Sequence, residues 1–90
     1  MGNKSTGNKL LDIYTAFSNL PARFRLLVTE ECNWSTPTFY RKMKSRDKPD
    51  PNNKGKIIPS LSRAEKETIQ RMAELATAEI NDFMDNLLIK

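Results

Sequence analysis

From Arg63 to Leu88 the chain runs without a Gly or a Pro, and apolar residues recur at Ile69, Ala73, Ala76, Ile80, Phe83 and Leu87. The spacings alternate four and three, the period of a helical seam. An unbroken helix there would be nearly 40 Å long at about 1.5 Å per residue. Its start is marked by Ser62 and Glu65, spaced as a capping box, with Leu61 just outside as a staple. Met72 and Met84 widen the stripe beyond a strict seam. A face this wide exceeds what a short helical head can cover. The seam residues are therefore expected to serve dimerisation, part of the helix packing on the head and the rest on a second chain.

Composition supports that expectation. Ninety residues make one domain, and 38% apolar content is low for a self-sufficient globule of this size. A partner chain would cover the shortfall. Charge is uneven: residues 1–60 carry +6 and residues 61–90 carry −2. A basic front with a mildly acidic tail suits a polyanion-binding head and a partner-binding tail. The single Cys32 makes no internal disulfide, which points to a reducing, cytoplasmic setting. With no His and one Cys, zinc sites and His-dependent triads are excluded. No cofactor is implied, no membrane-spanning run is present, and the roles an enzyme needs cannot be filled.

Along the chain, residues 1–8 are polar and Gly-containing, a flexible N-terminus. A first helix is expected over 9–18, with Leu10, Ile13, Tyr14 and Phe17 as its core face. Ser18-Asn19-Leu20-Pro21 then turns the chain, with Pro21 in the first turn of a second helix to about Glu31. Phe24, Leu27 and Val28 face inward there, and Arg23 and Arg25 face solvent.

The most informative stretch runs from Cys32 to Met43. It reads as the end of one helix, a tight turn and another helix. Asn33 tolerates the left-handed backbone of the turn. Ser35 is a good N-cap, and Pro37 falls in the first turn, where a missing N–H costs little. Trp34, Phe39 and Met43 can share one core, leaving Thr36, Pro37, Tyr40, Arg41 and Lys44 on the opposite, basic side. Small groups at a helix start with long cations behind them suit contact with base edges and phosphates.

At Cys32-Asn33-Trp34-Ser35, Thr36-Pro37 and Thr38-Phe39-Tyr40-Arg41 the chain resembles a helix-turn-helix of the tetracycline-repressor type. The resemblance covers roughly residues 10–44. Asn33 replaces the usual turn Gly, Trp34 is bulkier than the usual Val, and Thr29 stands where Ala is usual. The family's ligand-binding domain has no counterpart, so no small-molecule ligand domain is expected. The resemblance implies Thr36, Pro37 and Thr38 near bases and Tyr40 and Arg41 near phosphates. Arg41 or Lys44 would read guanine, and Arg23 or Arg25 would touch the DNA backbone.

Residues 46–60 form a basic Pro/Asn/Gly loop, and from Arg41 to Lys56 seven basic residues face two acidic ones. Such a segment can follow a phosphate backbone. Ile57-Ile58 would anchor its end or add one short strand. The expected architecture is all-α: a three-helix head over 9–45 containing a helix-turn-helix, the loop, and a long helix over 61–90. The expected function is sequence-selective binding of double-stranded DNA by a homodimer, as a small transcriptional regulator or a mobile-element accessory protein. The alternative is a helical protein-interaction module without specific DNA binding.

Overall fold

The computed structural model describes residues 6–89, with side chains through Leu87. The elements are α1 (Lys9–Cys32), α2 (Thr36–Lys44), β1 (Lys48–Pro49), β2 (Ile57–Ile58) and α3 (Arg63–Ile89). The helical class holds, with a two-stranded hairpin in place of a plain loop. Among the described residues no helix is long and apolar enough to cross a membrane.

The largest correction is at Pro21. In place of two helices over 9–31, α1 is one helix of 24 residues with Pro21 inside it. Proline removes the N–H that would reach the Phe17 carbonyl, and interior proline normally costs about 3 kcal/mol. Tertiary packing on both sides of Pro21 offsets that cost. Ala16 and Leu20 before it, and Arg23 after it, all lie against α3. A helix held at both ends of a defect has no free end to turn away.

At the start of α1, Asn8 caps the helix, its side chain accepting from Leu10 N and Leu11 N at 3.0 and 3.2 Å. Thr6 donates to the buried Asp12 carboxylate through both its N–H (3.1 Å) and its hydroxyl (2.8 Å). Thr6 to Asn8 therefore form an ordered cap rather than a flexible lead. Residues 1–5 of the expected flexible segment lie outside the described residues.

α1 and α3 form an antiparallel pair. Val28 and Phe24 lie near Ile69, Leu20 near Ala76 and Thr77, and Ala16 near Ile80 and Phe83. The α3 residues expected to serve dimerisation thus have a neighbour within the chain. Ile69, Ala73, Ala76, Ile80 and Phe83 face α1 of the same chain, and Leu87 is half-buried near the far end. The reason follows from the first correction. A helix of 24 residues spans about 36 Å and covers most of α3, which two short helices could not do. The buried apolar core is small: Leu27, Val28, Phe39 and Ala76. The molecule is elongated, 60 × 22 × 21 Å.

Arg23 is turned to α3 as well. Its Nε and Nη2 donate to the two Glu79 carboxylate oxygens, each at 2.8 Å. This bidentate bond, before any other cause, holds the Glu79 carboxyl below the ordinary carboxylate range. A carboxyl depressed in the folded state adds stability above its unfolded pKa of about 4.3, and that stability is lost as the pH falls. The effect is small, since the two side chains are 42% and 38% exposed. Glu79→Gln should lower the thermal midpoint slightly near neutral pH and leave it unchanged in acid; a constant offset across the titration would contradict the ion pair.

Candidate nucleic-acid interface

The junction between α1 and α2 is built by backbone geometry that the residues themselves dictate. Asn33 sits at φ 57°, ψ 43°, the left-handed region. Its N–H reaches the Glu30 carbonyl (3.3 Å) and Trp34 N–H reaches the Thr29 carbonyl (2.9 Å). These are the two bonds of a Schellman ending, which satisfy carbonyls that α1 would otherwise leave open. Two residues on, Ser35 caps α2, accepting from Thr38 N at 3.2 Å. Pro37 occupies the first turn as expected.

Three contacts fix α2 on the body. Phe39 is 8% exposed and meets Phe24 edge-on with ring centroids 6.4 Å apart. Arg25 Nη1 donates to the Tyr40 hydroxyl at 3.0 Å, and its guanidinium lies 6.0 Å from the Tyr40 ring centroid. Lys42 lies 3.6 Å from a Glu65 oxygen and 5.7 Å from the Trp34 ring centroid. These tie α2 to α1, to the turn and to α3 together. The Cys32 thiol, half-buried beneath them, is pushed up by that burial, then by Glu65 and Glu31. It is protonated at neutral pH, and a thiol so held is a weak nucleophile.

With α2 so held, Thr36, Pro37, Tyr40, Arg41 and Lys44 are exposed on its outer side. Thr38 is half-buried and its hydroxyl accepts from Ser35 at 2.9 Å, so it belongs to the cap as much as to the surface. Arg25 joins the face through Tyr40, whereas Arg23 is committed to Glu79. Met43, expected in the core, is 63% exposed at the rim of an apolar cleft lined also by Phe24, Trp34, Leu61 and Ile69. α2 ends one residue later, at Lys44.

Directly after α2 the basic segment folds back as an antiparallel hairpin, Lys48 opposite Ile58 and Pro49 opposite Ile57. Ile57 and Ile58 are both exposed, so they close the hairpin through their backbone and do not anchor it in the core. The two acids of this segment are spent on its own backbone. Asp47 accepts from Ser60 N at 2.9 Å and closes the base. Asp50 accepts from the Asn53 side chain (3.0 Å) and from Asn52 N (2.9 Å), and these bonds, the Asn53 one foremost, hold its carboxyl below the usual range. Gly55, at φ 79°, completes the return. Arg41, Lys44, Arg46, Lys48, Lys54 and Lys56 are all exposed and make no ion pair among the described residues. Sequence reasoning missed the hairpin, although a β-branched pair after an Asn-rich, Gly-containing turn is its signal.

No family model, curated protein or solved structure matches this chain, so what the surface does rests on its own chemistry.

Proposed function

We propose that the chain binds double-stranded DNA through a helix-turn-helix formed by the end of α1 and α2, with the hairpin of β1 and β2 as a second, phosphate-following contact. The observation that carries this reading is a rigidly held short helix whose free face ends in unpaired cations, continued by more unpaired cations on a closed hairpin. Thr36 and Pro37 form the small end that can approach base edges. Arg41 and Lys44, a turn further in, supply longer donors for phosphates or guanine. The hairpin lysines add affinity that does not depend on sequence. In this reading the chain acts as a small transcriptional regulator or a mobile-element accessory protein.

Replacing Arg41 and Lys44 together with Ala should weaken duplex binding and flatten its salt dependence. The slope of log K against log salt should fall by about 1.8, roughly 0.9 for each phosphate that is no longer neutralised. Helicity should stay at the parent's level, because both side chains are exposed. Arg63→Ala, which removes an exposed cation from the start of α3, should leave the slope close to the parent's. An unchanged slope in the double variant would show that this face of α2 does not meet the phosphates.

A further inference from the structure

α1 carries two apolar lines, and the chain itself covers only one of them fully. Ala16, Leu20 and the Arg23–Glu79 bridge lie against α3. The other line runs Leu10, Tyr14, Phe17, Pro21, Phe24, Val28, with spacings of four, three, four, three, four. Its far end is covered, Val28 being 1% exposed, but Leu10, Tyr14 and Phe17 are 77%, 68% and 56% exposed. Three large apolar side chains in line on one helix face are more than scattered surface residues.

We propose that this line is a self-association surface: two copies of the chain pack α1 against α1, antiparallel, about a two-fold axis near residue 19. Two observations select a second copy as the occupant. The surface is self-complementary. Positions 14 and 24, and 17 and 21, are symmetric about residue 19, so an antiparallel partner brings Tyr14 and Phe17 of each copy onto Phe24 and Pro21 of the other. At Pro21 and Phe24 the structure has a groove of about 350 Å³, floored by Ala73 and Ala76, that can take an aromatic ring. Knob and hole on the same patch is what an isologous interface requires.

The surface is also nearly free of charge. From Leu10 to Ala22 the only charged residue is Asp12, buried with its carboxylate turned to Thr6. A two-fold axis sets each charge near its own copy, so in a chain of net +4 a neutral face is where copies can meet. The size of the patch sets the strength of the pairing. The uncovered stretch from Leu10 to Phe24 is about 21 Å long, which at one helix's width of about 11 Å gives roughly 230 Å² per copy, so the pairing is weak and concentration-dependent.

The arrangement has a consequence for the proposed DNA reading, though it does not rest on it. Cys32, where α1 ends, is thirteen residues from the axis, so the two α1 ends lie about 39 Å apart. Successive major grooves on one face of DNA are about 34–36 Å apart, so both α2 helices could reach the same side of a duplex.

The test uses the full chain without DNA. Sedimentation equilibrium should show a concentration-dependent rise from 10.3 kDa to twice that mass. Tyr14→Glu with Phe17→Glu should raise the dissociation constant roughly 100-fold while the helical signal holds. Tyr14→Ser with Phe17→Ser serves the same end if the charged variant fails to fold. Leu75→Glu, on an exposed part of α3 away from the groove, should leave association intact. A monomer at all concentrations, or equal loss in the Leu75 variant, overturns the proposal. Spin labels placed by Glu31→Cys in a Cys32→Ser chain then test the register. A separation of about 35–45 Å is expected, and one under about 25 Å would mean parallel packing and overturn the antiparallel axis. A dimer that shows no duplex binding would remove the DNA reading and leave this one standing.

Discussion

Phe39→Ala is expected to cost about 3–5 kcal/mol, the range for deleting a buried aromatic ring. Phe39 is the only buried residue of α2, and the ring meets Phe24 on one side and Tyr40 on the other, 5.3 Å away at 90°. Nine residues cannot hold a helix in water without tertiary contact, so α2 exists because this ring is docked. A chain of this size is stable by only about 5–15 kcal/mol, so the loss takes a large part of the total. At about 4–8 °C per kcal/mol the thermal midpoint should fall by roughly 12–40 °C. Duplex binding should be lost with it, because the free face of α2 is positioned by the buried one. Met43→Ala makes the comparison. It lies one turn from Phe39 but is 63% exposed, and it should cost under about 1 kcal/mol. Similar losses at the two positions would mean that the cleft beside Met43 is closed in solution.

Met43 shows what helical period leaves open. The spacing from Phe39 puts both residues on one side of α2, and they are on one side. Period does not say how much of that side the neighbouring elements cover, and at Met43 they cover little of it. Leu10, Tyr14 and Phe17 repeat the lesson on a larger scale. Their spacing marks an apolar face, and the face is there. Which of two adjacent faces of α1 meets α3 depends on the crossing of two long helices, and no local pattern encodes that. Arg23 could not be placed for the same reason, since its partner Glu79 is 56 positions away along the chain.

Local chemistry was far more legible. Asn33 in the left-handed region, the Ser35 cap and the Ser62–Glu65 box all follow from residues within a few positions of one another. In the box, Ser62 N–H donates to Glu65 (2.9 Å) and Glu65 N–H to the Ser62 hydroxyl (3.0 Å), so two open donors at the start of α3 are met at once. The outward set on α2 was equally readable, because Ser35 and Pro37 fix the helix start and Phe39 fixes its rotation. Tyr40 was readable as exposed but not as the acceptor for Arg25, fifteen residues back. The hairpin was hidden because its acids and amides, Asp47, Asp50, Asn52 and Asn53, read as a plain loop composition. Only their bonding to the backbone turns them into a closed structure that leaves the lysines outward.

Pro21→Ala should stabilise the chain, and by more than most single substitutions do. Position 21 is inside α1, where proline lacks the N–H owed to the Phe17 carbonyl and its ring crowds that turn. Alanine restores the bond and removes a penalty of about 3 kcal/mol, less roughly 0.4–1 kcal/mol for the greater freedom it returns to the unfolded chain. A net gain near 2 kcal/mol corresponds to a midpoint about 8–16 °C higher in dilute, monomeric solution. The same substitution should weaken self-association. Pro21 forms one wall of the groove beside Ala73 and Ala76, and any change in the axis of α1 at residue 21 would move Tyr14 and Phe17 relative to Phe24. A more stable monomer that associates less would show that the proline sets the angle between the covered and uncovered halves of α1. A lower midpoint would show instead that the proline ring supplies packing beside Ala73 and Ala76 that alanine does not replace.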